Sequence, residues 1–195
     1  QSRAMALLEK PHADIKKLAS IIVLDSDNRS IQLETLWTKQ TIIFIFLRHF
    51  ACIACRAHAK QVWDDKEKYE AKGAKLVFIG NGQPSFIQKF KEDLKIQQAM
   101  VLTDPTLKSF QAAGFKKGFF KVVQPASVIG AIKLVAQGHK QTSSSAEAGT
   151  HWQMGGVLAV HPKGVALYQF VSEFLGDFPE EPHLDIIKAD EGALD

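Results

Sequence analysis

An α/β fold with a central mixed sheet flanked by helices is what this chain of 195 residues predicts. Three observations predict it. Runs of β-branched and aromatic residues take turns with segments whose apolar positions recur at helical spacing. The run Thr41 to Leu47 (Thr-Ile-Ile-Phe-Ile-Phe-Leu) does not alternate with polar residues, which is the pattern of a strand covered on both faces. The chain closes on two strand-like runs joined by a tight turn, so an antiparallel hairpin joins a strand–helix–strand order.

Each element has its own signal. Ile21 to Leu24 and Ser30 to Leu33 flank the turn Asp25-Ser26-Asp27-Asn28, an N-terminal hairpin. A calcium loop started at Asp25 would need Gly at its sixth position and Glu at its twelfth. Ser30 and Leu36 stand there, so the acidic turn is read as a plain turn. After Thr41 to Leu47, a long helix is expected from Cys52 to Lys72, with Ala59, Val62 and Tyr69 on its apolar face and Gly73 as its end. Lys75 to Ile79 is the next strand and Gly80-Asn81-Gly82 a turn. Pro84 opens a helix over Ser85 to Leu94, where Phe86, Ile87, Phe90 and Leu94 share a face. Ala99 to Leu102 is a strand, and Asp104 caps a short helix through Phe110. Gly156 to Val160 and Val165 to Val171 form the closing hairpin around His161-Pro162-Lys163-Gly164, and a short helix follows around His183 to Lys188.

One stretch breaks this rhythm. Residues 116–153 read as an insertion before the closing hairpin, apolar at first and Ser/Thr/Ala/Gly-rich from Gln141 to Thr150, where a flexible loop is expected. It must pack on its own domain, on a partner or on a second copy, so a homodimer stays open. No repeat and no linker divides the chain, and residues 1–195 read as one domain.

Composition excludes several classes. The formal net charge of +3 is too small to argue for nucleic acid, and the lysines are scattered among carboxylates. The longest apolar run, Ile42 to Leu47, cannot span a bilayer, and no polybasic run addresses a membrane surface. Gln1 to Lys10 lacks the apolar centre of a secretory signal, although the chain does not begin with Met and a removed leader stays open. A cytoplasmic location is expected.

The 2 cysteines are Cys52 and Cys55. A bridge between them closes almost no loop, so its purpose is chemical rather than structural. A Cys-x-x-Cys after a buried strand and at a helix start, near a βαβ pattern, points to thioredoxin-like redox chemistry. Helix starts carry unpaired N–H groups and partial positive charge, which favour thiolate over thiol. Arg48 and His49 just upstream and Arg56 just downstream can add to this. Cys52, at the exposed helix start, is the expected nucleophile. Cys55, one turn deeper, is the expected resolving thiol. The cysteines could instead be buried apolar residues. They could also join His58 as metal ligands, but a structural zinc site needs four ligands and no second Cys pair or His-x-x-x-His exists. No metal and no cofactor is expected, and His58 reads as a solvated or helix-packing residue.

The segment Phe46-Leu47-Arg48-His49-Phe50-Ala51-Cys52-Ile53-Ala54-Cys55-Arg56 resembles the active-site segment of the peroxiredoxin-like branch of the alkyl hydroperoxide reductase/thiol-specific antioxidant family. Gly155 to Val160 and Glu173-Phe174-Leu175-Gly176-Asp177 are similar to that branch's closing hairpin and Gly-Asp signature. The resemblance covers roughly Ile21 to Ile187. It implies a thioredoxin-like fold and a redox activity in which Cys52 and Cys55 reduce a peroxide-type or disulfide substrate. A thioredoxin- or glutathione-like thiol is the expected electron donor, and Arg48 and His49, by their place beside the cysteines, are expected to stabilise substrate or thiolate. Two departures stand out. The Thr and Pro of the usual Pro-x-x-x-Thr-x-x-Cys pattern are replaced by His49 and Ile45. The region that holds a cis-proline in thioredoxins reads Gln153-Met154-Gly155-Gly156. Three functions therefore compete: a peroxide-type reductase, an exchange protein acting on protein disulfides, and a binding protein with idle cysteines.

Overall fold

The structure, a computed structural model, describes residues 11–115, 148–150, 152–173 and 177–179. The helix expected around His183 to Lys188 and residues 116–147 and 151 of the insertion lie outside them.

The expected elements run in the expected order, joined by two short helices, Ile15–Ala19 and Glu34–Trp37, that the sequence pattern did not announce. Helix α1 (Ile15–Ala19) precedes the hairpin β1 (Ile22–Leu24) and β2 (Ser30–Gln32), and α2 (Glu34–Trp37) follows. Then come β3 (Thr41–Phe46), α3 (Ile53–Asp64), α4 (Lys66–Glu70) and β4 (Ala74–Gly80). Helix α5 (Ser85–Leu94), β5 (Met100–Thr103), α6 (Lys108–Ala112), β6 (Gly156–His161) and β7 (Val165–Val171) complete the described chain. The strands form one seven-stranded sheet in the order β2-β1-β5-β4-β3-β6-β7. Strand β3 runs parallel to β4 and antiparallel to β6. The sheet is therefore mixed, and β3 lies inside it.

The unbroken apolar run of β3 follows from this position. Ile43 and Ile45 pack on one face with Val62, Phe78 and Phe90. Ile42, Phe44 and Phe46 pack on the other with Trp37, Val77 and Phe110. Side chains alternate between faces along a strand, so a strand covered on both sides has no polar position to spare.

The expected Cys52–Lys72 helix is two helices. Asp65 leaves helical geometry at φ −92° and ψ 9°, ending α3 and preceding α4. The Asp65 carboxylate makes no cap bond to the backbone of α4 and pairs instead with the Lys68 side chain at 2.7 Å. Helix α6 starts at Lys108, later than expected, and its registration comes from Asp104. That carboxylate accepts the Ser109 N–H at 2.7 Å and the Thr106 N–H at 2.9 Å. The expected flexible loop Gln141 to Thr150 needs correcting at its end: residues 148–150 are packed in place, with Ala148 fully buried.

Candidate active site

Strand β3 delivers the chain to the site, and the loop Leu47 to Cys52 turns it into α3. The Leu47 N–H still bonds the Ile79 carbonyl at 2.8 Å, and the Cys52 N–H closes a tight turn on the His49 carbonyl at 3.2 Å. Cys52 is the N-cap of α3, extended at φ −68° and ψ 118°, and its sulfur accepts the Cys55 N–H at 3.5 Å. A cap position asks for an acceptor, usually a Ser, Thr, Asp or Asn oxygen. A thiolate fills that role better than a thiol, so helix formation and ionisation favour each other.

Arg48 is buried, and its guanidinium Nη1 stands 3.9 Å from the Cys52 sulfur. Its Nε donates to the Gln153 carbonyl at 3.3 Å, which aims the group across the site. Its backbone N–H donates to the Cys55 sulfur at 3.3 Å. These contacts separate the two thiols. A hydrogen bond from the Cys55 thiol, helped by Arg48 and the helix-start N–H groups, outweighs burial and lowers Cys52 to about 6. Cys55 gives that hydrogen bond, is buried, and faces the charge on Cys52, so its own value rises well above the ordinary thiol range. The pair thus holds one proton on Cys55 and one negative charge on Cys52.

The remaining predicted residues divide. His49 is buried in the loop beside this pair. Arg56 turns away: it pairs with Asp93 at 3.0 Å and lies over the Phe90 ring, which ties α3 to α5. His58 is not solvated. It is buried and stacked on Phe178 with ring centroids 4.0 Å apart, and burial lowers it to about 4. Cys52 is not exposed either, at 3% accessibility against 2% for Cys55. The helix start is covered by the loop and by what packs on it.

Two participants went unnoticed in the sequence. Asn81, in the turn after β4, donates to the Arg48 carbonyl and accepts the Thr150 N–H at 2.8 Å. Gln153 supplies the carbonyl that aims Arg48. Asn81 lay in a turn motif and Gln153 in the stretch that replaces the cis-proline, and neither residue type signals a redox site. No cis peptide bond occurs among the described residues.

A cavity of about 10 Å³ adjoins Ala51, walled by Phe50, Arg56, Phe90 and Asp93. A groove of about 610 Å³ between Asp25, Arg29, Lys91 and Met100 contains none of the site residues. Among the described residues, no group of three His, Cys, Asp or Glu could hold a metal ion, and no helix is long and apolar enough to cross a membrane.

Comparison with known proteins bears on this arrangement. The model of the family described as AhpC/TSA antioxidant enzyme matches residues 61–173, beginning downstream of both cysteines. The chain is 30% identical over 179 residues to the thioredoxin-like protein AAED1, chloroplastic, of Arabidopsis thaliana, covering 88% of this chain and 71% of that one. It is 30% identical over 170 residues to prostamide/prostaglandin F synthase of Aquarana catesbeiana, covering 86% and 84%. Peroxidoxin BcpB from Mycobacterium tuberculosis shares the fold, with a TM-score of 0.64 at 16% identity over 93% of this chain and 99% of that one. Peroxiredoxin Q of Xanthomonas campestris does so with a TM-score of 0.60 at 11% identity, covering 94% and 96%.

Proposed function

The chain belongs to the AhpC/TSA antioxidant enzyme family, and from that premise we propose that it reduces small peroxide-type substrates with Cys52 as attacking thiolate and Cys55 as resolving thiol. Family membership supports a thiol-dependent redox function. The observation that carries the finer reading is the Arg48 guanidinium 3.9 Å from a helix-capping Cys52 sulfur. Burial of both cysteines suits an idle pair equally well. A cation turned onto one of them, with the proton held by the other, does not.

The chemistry balances on these groups. The Cys52 thiolate attacks the terminal oxygen of a hydroperoxide, the O–O bond breaks, and the alkoxide leaves to take a proton from solvent. Sulfur is oxidised to sulfenic acid and the peroxide is reduced to an alcohol. The Cys55 sulfur then attacks the Cys52 sulfur. The S–S bond forms, the S–O bond breaks, and the departing hydroxide leaves as water with the Cys55 proton. A thiol donor, one dithiol of thioredoxin type or two monothiols of glutathione type, is oxidised to its own disulfide and returns both cysteines to the reduced state, which fits a reducing compartment such as the cytoplasm. His49 stands where the usual pattern has Thr and Ile45 where it has Pro, so the O–O bond is less polarised and turnover is slow. An exchange protein for other proteins' disulfides would need its attacking sulfur at the surface, and Cys52 is 3% exposed.

The test is turnover of hydroperoxide and of insulin-type disulfide on one preparation, with Cys52→Ser beside wild type. Hydroperoxide should be reduced with a dithiol donor, the variant should be inactive, and mass spectrometry of oxidised protein should find a Cys52–Cys55 bridge. Faster reduction of protein disulfides, or a bridge between chains as the main product, would end this reading.

A further inference from the structure

Two hydrogen bonds hold residues 148–150 against the thiol loop and the turn after β4. The Ala148 carbonyl accepts the Phe50 N–H at 3.2 Å. The Thr150 N–H donates to Asn81 Oδ1 at 2.8 Å. Between them Gly149 sits at φ +118°, a conformation that side chains with a Cβ rarely adopt. A Cβ there would also meet Asn81 Oδ1 at 2.1 Å and the His49 Cβ at 3.0 Å. The other end of Asn81 donates to the Arg48 carbonyl. Asn81 is itself buried, at 5% exposure. One side chain therefore joins the turn after β4, the loop that carries Arg48, and the chain that lies over His49 and Phe50.

We propose that Asn81 is a positioning residue that decides which substrates reach Cys52, by pinning residues 148–150 over the thiol loop so that only small oxidants enter. The inference rests on Cys52 being the reactive thiol, as argued above. It adds a size limit built from a turn residue and a glycine. Asn81 does not touch the sulfur. It acts through the two backbones that it bonds, and an amide suits this because it offers a donor and an acceptor at once. Ser or Ala in its place would leave a buried N–H or C=O without its partner.

The experiment reads Cys52 alone, in a Cys55→Ser background, by alkylation with iodoacetamide and with a bulky fluorescein maleimide. In the Asn81-intact protein the bulky reagent should lag well behind the small one. Asn81→Ala loses both of its bonds, and the loss of the one that pins Thr150 should raise the bulky-to-small rate ratio by about fivefold to tenfold. Gly149→Ala keeps the Asn81 amide but drives a Cβ against its Oδ1 and the His49 Cβ, which pushes residues 148–150 off the loop, so it should raise the ratio as well. Asn81→Asp keeps the acceptor for Thr150 but loses the donor to Arg48. It should hold the ratio near that of the Asn81-intact protein while shifting the pH midpoint of Cys52 alkylation. A ratio unchanged in both Asn81→Ala and Gly149→Ala, with the far-ultraviolet spectrum retained, would overturn the proposal. So would a bulky reagent that already matches iodoacetamide in the Asn81-intact protein. Should Asn81→Ala fail to fold, Gly149→Ala decides. A Cys52 inert to iodoacetamide in every variant at pH 8 would instead sink the redox reading on which the inference stands.

Discussion

At Cys52 a single sulfur collects the Cys55 N–H at 3.5 Å, the Arg48 guanidinium at 3.9 Å and the Cys55 thiol proton. Burial alone would raise a thiol, so the donors decide the sign. The Cys52 value lies below that of a free thiol. Its thiolate is therefore populated above a pH of about 6 and lost as pH falls through it. Iodoacetamide labelling should show that midpoint. Arg48→Met removes the nearest cation, so the midpoint should move up and the rate at pH 6 should drop by about fivefold as less of the sulfur is ionised there. Arg48→Lys should recover part of it, because a shorter reach keeps the charge and loses the fork. An unchanged midpoint in Arg48→Met would make Arg48 a structural residue. The pattern of residues placed Arg48 beside the cysteines but could not aim it. A residue at a strand end faces either way, and the Gln153 carbonyl that aims this one lies 105 positions along the chain.

Helix α3 carries the two cysteines at one end and two anchors further along. Arg56 ties it to α5 through Asp93. His58 ties it to Phe178, a residue just past the Gly-Asp signature. The His58 ring is neutral in the folded protein, since burial lowers it from 6.5 to about 4. The unfolded chain binds a proton there near pH 6.5, so between that pH and about 4 it binds more protons than the folded chain. Stability should therefore fall as pH drops through this window, by up to about 3 kcal/mol, and level off below it. His58→Phe keeps a ring against Phe178 and cannot titrate. Its melting temperature should change less between pH 7 and pH 5 than that of wild type. An equal loss in both proteins would assign the acid sensitivity elsewhere. A histidine in a charged helical segment suggested a solvated or packing role. Only the docking of the chain near Phe178, more than a hundred residues away in sequence, chose between them.

Across the whole molecule the sheet joins two distant parts of the chain. Strand β3 pairs with β4 on one side and with β6 on the other, and the site sits where these strands end. Gly155 lies at that junction. A Cβ on it would meet the Phe46 carbonyl oxygen at 2.1 Å, and the obstacle is backbone, which cannot rotate aside. Gly155→Ala should cost about 2 kcal/mol or more, seen as a lower denaturant midpoint. It should also slow Cys52 alkylation, because the Gln153 carbonyl that aims Arg48 is carried by the same stretch. Loss of stability with unaltered alkylation would show that the junction supports the fold and not the site.

The order of strands along the chain, the mixed sheet, the burial of β3 on both faces and the closeness of Cys52 to Cys55 were legible in the sequence. They follow from local periodicity, turn chemistry and a three-residue spacing, which depend on neighbours along the chain. The break at Asp65 was missed because it is a departure of backbone geometry at one residue, and the apolar spacing from Ala59 and Val62 to Tyr69 runs on across it. The tertiary structure alone decided that Cys52 is covered, that Arg48 faces it while Arg56 turns to Asp93, and that Asn81 and Gln153 belong to the site. These depend on contacts between residues 33 to 105 positions apart. The physical reason is that a hydrogen bond or an ion pair acts over a few ångströms of space, and the spacing of residues along one segment carries no record of which distant segment will arrive there.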